Sequence, residues 1–109
     1  MSMKIVYTHT ARGDLKEIYA YIADILMAPK TAHSLIERIM AEARSLEEFP
    51  ARNPLYREDP WHSQGVRFLA VKNYLVFYTV KAEIETVSIA RIMYGGRDIN
   101  RQLEETTEW

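Results

Sequence analysis

Two arginines, a tyrosine and a pair of glycines lie within one short stretch, IARIMYGGRDI, at residues 89–99. The apolar residues around Arg91 are typical of a core strand, and the segment YGGRD follows directly. A guanidinium group binds phosphate or carboxylate, and a tyrosine at a strand end can stack on a base or donate a hydrogen bond. Arg67, in an earlier apolar run, is a further candidate cation. We therefore predict that Arg67, Arg91, Tyr94 and Arg97 contribute to a target-binding surface.

Each of these residues also has a purely structural interpretation. Arg67 and Arg91 can extend to the sheet edge or pair with an acid such as Glu85, and Arg97 can pair with the aspartate that follows it. Tyr94 can simply complete the hydrophobic strand. The functional interpretation requires these side chains to be exposed to solvent, whereas the structural one requires them to be paired or packed within the fold. The sequence leaves the choice between the two open.

Metal and cofactor chemistry finds little support in the sequence. The chain has no cysteine, and its histidines, His9, His33 and His62, are scattered without the spacing of a metal site. We expect no metal and no cofactor. His62 lies in a loop and is interpreted as a surface residue rather than a proton carrier.

Composition and length predict one soluble globular domain over residues 1–109. Apolar residues make up 48% of the chain and charged residues 27%, and no apolar run approaches the length of a membrane span. The formal charge of −1 is unevenly distributed, because residues 52–101 carry +3 and residues 102–109 carry −3. Without a secretory leader pattern, we expect a cytoplasmic protein. The acidic tail 104–109 is predicted to fray.

The first half of the chain changes from a strand period to a helix period. Residues 3–8 alternate and predict a strand, and apolar residues then recur at helical spacing in two stretches. Thr10 is the predicted N-terminal cap of the first helix, and Pro29 is predicted to end that helix. Thr31 is the predicted N-terminal cap of the second helix, which is predicted to run to Pro50. Helices of this length joined by a short connection predict an antiparallel hairpin.

The second half of the chain predicts a long loop followed by strands. Residues 50–64 contain three prolines without periodicity, and Trp61 is the expected anchor of this loop. Residues 66–72, 74–80 and 85–93 predict strands joined by short turns, which make an antiparallel meander. The order β-α-α-β-β-β predicts an α+β fold in which a helical hairpin packs on a four-stranded, mainly antiparallel sheet.

The order and length of these elements, with the segments ARGDLKEIYAYIA, GVRFLAVKNYLVFYTV and VSIARIMYGGRDI, resemble the RelE/ParE superfamily of toxins. This resemblance covers essentially the whole chain. It implies the toxin of a type II toxin–antitoxin (plasmid stabilisation) system, inactivated by a cognate antitoxin. A homodimer or a toxin–antitoxin hetero-oligomer is the implied assembly.

The superfamily has two branches with different targets. RelE-like members resemble ribosome-dependent mRNA endonucleases, in which cations on the meander and a tyrosine or histidine near the C-terminus act on the RNA. Here Arg67, Arg91, Tyr94 and Arg97 would carry that reaction.

Two of the cations that the nuclease branch implies are replaced by leucine in this sequence, at Leu69 and at Leu75. Loss of one positioned charge donor can reduce a rate by about 10²–10³. The C-terminal segment resembles the ParE branch, whose pattern has histidine where Tyr94 stands. The resemblance therefore implies a ParE-like inhibitor of DNA gyrase, with the ribosome and mRNA as the alternative target.

Overall fold

A computed structural model of the chain describes residues 2–96 and 98–109. These residues form three α-helices and four β-strands in an α+β arrangement. The strands are β1 (Lys4–Tyr7), β2 (Arg67–Val71), β3 (Tyr74–Lys81) and β4 (Thr86–Tyr94). The helices are α1 (His9–Ala20), α2 (Pro29–Arg44) and α3 (Ile99–Glu104).

The four strands form one mixed sheet in the order β1-β4-β3-β2. The strands β2, β3 and β4 are consecutive antiparallel neighbours, and β1 pairs in parallel with β4. The predicted meander and the mainly antiparallel sheet are thus confirmed. A parallel pair of first and last strands follows from the helical hairpin, which carries the chain across the sheet before the meander begins.

Both helix starts lie before the residues predicted as caps. Thr8 rather than Thr10 caps α1, because its hydroxyl accepts a hydrogen bond from the backbone N–H of Ala11 at 3.0 Å. Pro29 does not end the first helix but opens α2, where the missing N–H of a first-turn proline costs nothing. The first helix instead passes into a π-helical turn, Tyr21–Ile25, and stops there.

The sheet is covered on both faces by different parts of the chain. One face carries α1 and α2, which bury residues such as Ile39 and Leu46 against Tyr78 and Ile89. The other face is covered by the long loop, α3 and the C-terminal tail; Trp61 is 6% exposed there, which confirms its role as the loop anchor. Because both faces are buried, β3 and β4 are apolar on both sides.

The strand β4 is longer than β1, and the first turns of α1 cover the edge that β1 leaves open. The hydroxyl of Thr8 donates to the carbonyl of Ala90 at 3.0 Å. The carboxylate of Asp14 accepts a hydrogen bond from the backbone N–H of Ile92 at 2.9 Å. Side chains of α1 thus replace a neighbouring strand and fix α1 against β4.

The acidic tail differs from the frayed end that the sequence predicts. Thr106 is buried, and Trp109 packs against the cluster of Trp61 and Phe77. Thr106 and Trp109 thus face inward, whereas Thr107 and the three glutamates of the tail are exposed. Within the described residues, no helix has the length and apolar composition to cross a membrane.

Candidate functional site at the hairpin end of the sheet

The turn between β2 and β3 and the last residues of β4 meet at one end of the sheet, which we call the hairpin end. Lys72 and Asn73 form the turn, and the backbone N–H of Gly95 donates to the carbonyl of Asn73 at 2.8 Å. Tyr94 lies opposite Tyr74 in the ladder, and their rings make an edge contact with centroids 5.7 Å apart. Tyr94 as a whole residue is 54% exposed, so the strand ends in an aromatic residue that a partner can reach.

Gly96 allows the ring of Tyr94 to fold back over the turn. A Cβ atom at position 96 would lie 2.4 Å from Cε2 of Tyr94, which is closer than real Cβ contacts. At Gly95 the nearest atoms to such a Cβ, the carbonyl oxygen of Asn73 and Cγ of Leu75, are 3.4 Å away. Of the two glycines, Gly96 is therefore the one that a side chain would disturb more, because its Cβ atom would overlap the ring of Tyr94.

Two grooves flank the turn. The smaller groove, of about 290 Å³, is lined by Leu75, Tyr94, the glycine pair and the turn itself. Leu75 is one of the two leucines at positions where a nuclease would carry a cation, and it gives this groove an apolar wall beside Tyr94. The larger groove, of about 850 Å³, opens on the other side of the turn towards α2. Burial, with smaller contributions from Tyr94 and Tyr21, raises the pKa of Tyr74, so this ring stays neutral.

Arg91 lies close to the hairpin end in sequence, but its side chain is used internally. Nε donates to the Asp14 carboxylate at 2.9 Å, and Nη1 donates to the Gln102 carbonyl and the Thr106 hydroxyl, each at 3.0 Å. The side chains of Arg91 and Asp14 are each 12% exposed. The expectation that Arg91 presents its guanidinium to solvent is therefore wrong, and its acidic partner is Asp14 instead of Glu85. The cause is the open edge of β4, which places α1 over this residue.

Arg67 lies apart from Tyr94 along the sheet. Arg67 is opposite Tyr78 and Tyr94 is opposite Tyr74, so four residues of β3 separate them. At about 3.3 Å per residue this is about 13 Å. The guanidinium of Arg67 is half-buried and donates to the carbonyl of Asn53 at 2.6 Å, which ties the strand to the long loop.

The remaining predicted residues add little to this site. Arg97 lies outside the described residues. His62 is exposed, and its Nδ1 lies 3.0 Å from the carbonyl oxygen of Tyr56, as expected for a surface residue. In residues 2–96 and 98–109, no cluster of histidine and acidic side chains has the arrangement of a metal site.

The structure adds residues that sequence reasoning did not select. Lys72, Asn73 and Tyr74 line the grooves beside Tyr94, although the sequence analysis had treated them as a turn and a strand start. A signal for them was present, because a two-residue turn at 72–73 fixes the register of the meander. Asp14 had no such signal, since it lies 77 residues from Arg91.

A helical hairpin on one face of a four-stranded mixed sheet is the fold that this chain shares with solved RelE and ParE structures. The model of the family described as ParE toxin of type II toxin-antitoxin system, parDE, matches residues 5–99. The chain therefore belongs to the ParE toxin family within the RelE/ParE superfamily. No curated protein sequence matches the chain significantly.

Solved structures similar to this chain have the same fold. A chromosomal ParDE toxin–antitoxin system from P. aeruginosa matches with a TM-score of 0.69 and 23% identity, over 85% of this chain and 96% of that one. The toxin–antitoxin complex RelBE2 from Mycobacterium tuberculosis matches with a TM-score of 0.60 and 21% identity, over 86% and 99%. A double arginine-to-alanine mutant of the E. coli toxin RelE in the free state matches with a TM-score of 0.64 and 12% identity, over 97% and 94%.

Proposed function

We propose that this chain is a binding-type toxin that inhibits DNA gyrase and is kept inactive by a cognate antitoxin. Membership of the ParE family supports this assignment over that of the nuclease branch. The hairpin end, with its exposed Tyr94, is the proposed target-binding surface, and Arg97 follows it in sequence. In this proposal Arg91 acts indirectly, by holding α1 and the tail against β4.

The observation that carries the choice of branch is the separation of the groups that an RNA-cleaving centre would need together. Cleavage through the 2′-hydroxyl requires a proton acceptor, a proton donor and cations around one phosphate. Arg67 is about 13 Å along β3 from the position opposite Tyr94. The guanidinium of Arg91 forms an ion pair with Asp14, and the residue that lines the smaller groove beside Tyr94 is the apolar Leu75.

Paired activity assays test this proposal. Purified toxin, freed of antitoxin, is expected to inhibit supercoiling by gyrase and to leave ribosome-bound mRNA intact. Tyr94→Ala should weaken inhibition, whereas Tyr94→Phe, which retains the ring, should keep most of it. Phe49→Ala is a matched control, since Phe49 is an aromatic residue that is 80% exposed and distant in sequence from the hairpin end. Ribosome-dependent mRNA cleavage that Tyr94→Phe abolishes would identify the chain as the alternative, a RelE-like endonuclease.

The proposed antitoxin contact is the apolar surface where α1 ends. Ile25, Leu26 and Met27 are 68%, 54% and 81% exposed, and Tyr21 lies in the same turn. Exposed apolar groups at this density favour a protein partner, and an amphipathic helix is the segment that fits between two helices. Met27→Asp should reduce co-purification with the antitoxin, whereas Ile84→Asp, at an exposed apolar residue before β4, should not. Equal retention of the antitoxin by both variants would place this contact elsewhere.

A further inference from the structure

The larger groove at the hairpin end has basic walls. It opens between the start of α2 and the turn of the meander, with a volume of about 850 Å³. Lys30 and Arg38 line it from α2, and Lys72 lines it from the turn. The lining also contains the hydroxyl groups of Thr31 and Ser34 and the side-chain amide of Asn73. Glu37 contributes a negative charge to it. The lining therefore carries more positive than negative charge, from two separate elements of the fold.

The cations of this groove are available for a ligand. In the described part of the chain, neither Lys30 nor Lys72 takes part in an ion pair. Arg38 pairs with Glu42 at 3.7 Å, but both side chains are more than 40% exposed, so the pair is weak and easily exchanged. The carboxylate of Glu37 lies 3.4 Å from Nε2 of His33 on the same helix, and both side chains are exposed.

Lys72 has an unusual backbone conformation for a lysine. Its φ is 56°, in the left-handed region that favours glycine, at the first position of a two-residue hairpin turn. A glycine would satisfy the turn with less strain, yet the chain has a lysine whose side chain lines both grooves. The conformation of the turn does not require a lysine, and Lys72 adds a positive charge to both grooves.

We infer that this groove binds the phosphate backbone of DNA. The inference rests on the proposed function in one respect, because gyrase acts on DNA and a toxin bound to it lies close to the duplex. Among the described residues, the apolar side chains in the lining are Leu35 and Tyr74, and the other seven lining residues are polar or charged. Lysine, arginine, hydroxyl and amide groups are the usual phosphate contacts of DNA-binding proteins.

Counterion release gives the expected strength of this contact. Three phosphate contacts predict that affinity falls about 40-fold between about 50 and 200 mM salt, and two predict about 12-fold. Removal of one contact at about 0.1 M salt should weaken binding about eightfold. Binding is expected to be independent of base sequence, because contacts to phosphate groups carry no sequence information.

The test measures fluorescence anisotropy of a fluorescein-labelled DNA duplex, two helical turns long, with the antitoxin-free full chain. Lys72→Gly is the informative variant: it should weaken binding about eightfold and lower the salt dependence, while its thermal stability stays equal or rises because glycine accepts the turn. Lys81→Ala is the matched control, since it removes the same charge from an exposed residue at the other end of β3. Its binding should match the wild type.

Three results would overturn the inference: no DNA binding at low salt, equal losses in Lys72→Gly and Lys81→Ala, or equally tight binding of polyglutamate. A parallel supercoiling assay separates this inference from the proposed function. Gyrase inhibition by the wild-type chain, with no DNA binding by that chain, would reject the groove and keep gyrase as the target. If the wild-type chain does not inhibit gyrase, and DNA binding is lost in Lys72→Gly but not in Lys81→Ala, the groove is supported and gyrase is rejected as the target.

Discussion

Replacing Arg91 by methionine tests whether the contact between α1, β4 and the tail holds the fold together. The guanidinium donates to the carboxylate of Asp14 at 2.9 and 3.3 Å and to two oxygens of the C-terminal segment at 3.0 Å. Methionine keeps the apolar length but leaves the carboxylate largely buried without its cation. Breaking such a pair costs about 3 kcal/mol, and at about 4 °C per kcal/mol for a domain of this size Tm should fall by about 12 °C.

A double-mutant cycle with Asp14→Asn isolates the pair itself. The asparagine side chain introduced at this position can still accept the hydrogen bond from the backbone N–H of Ile92, so this single variant loses mainly the charge. Combined with Arg91→Met, the loss should be smaller than the sum of the single losses by at least about 1.5 kcal/mol, because the second change no longer strands a charge. Urea denaturation of all four proteins gives the free energies of unfolding.

Arg38→Met is the matched control for this measurement. Arg38 pairs with Glu42 on the surface of α2 at 3.7 Å, and removal of an exposed pair of this kind should cost at most about 0.5 kcal/mol. Equal losses in Arg91→Met and Arg38→Met would refute the argument, since burial and multiple contacts would then have no effect on stability.

Three further predictions concern the hairpin end, the core and the tail. Gly96→Ala should displace the ring of Tyr94 and reduce toxicity as far as Tyr94→Ala does, whereas Gly95→Ala should have little effect; growth inhibition and circular dichroism check both. Burial raises the pKa of Tyr78 above 10.0, so the unfolded chain loses this proton first and the free energy of unfolding should fall as pH rises from 10.0 towards the folded pKa. Tyr78→Phe should flatten that alkaline decrease in urea titrations. Trp109→Ala should cost about 1–2 kcal/mol by loss of half-buried ring area, measured by thermal unfolding, and an unchanged Tm would show that the tail contributes nothing.

Strands were predictable from the sequence to within a residue or two, because alternation and a two-residue turn fix both extent and register. The helix starts were not, since Thr8 and Thr10 are equally good caps in type, and the geometry of the strand exit selects Thr8. The position of Pro29 was ambiguous for a similar reason, because a proline is common both in the first turn of a helix and just after the end of one.

The candidate site was predictable only in part. Tyr94 and its glycines follow from the sequence, because a strand rich in apolar residues must end where they begin. The role of Arg91 depends on how far β4 extends beyond β1, and the sequence of β4 alone contains no information about the length of its neighbour. The apolar wall at Leu75 becomes meaningful once the ladder places it opposite Met93, one residue from Tyr94.

The parallel pairing of β1 with β4 has a consequence for the order of events during synthesis. Residues 4–7 leave the ribosome 82 residues ahead of their partners, residues 86–89. The sheet cannot close, and Tyr94 does not yet exist, until β4 has been translated. A chain truncated before Thr86 would lack both β4 and Tyr94, so it could not form the four-stranded sheet or the hairpin end.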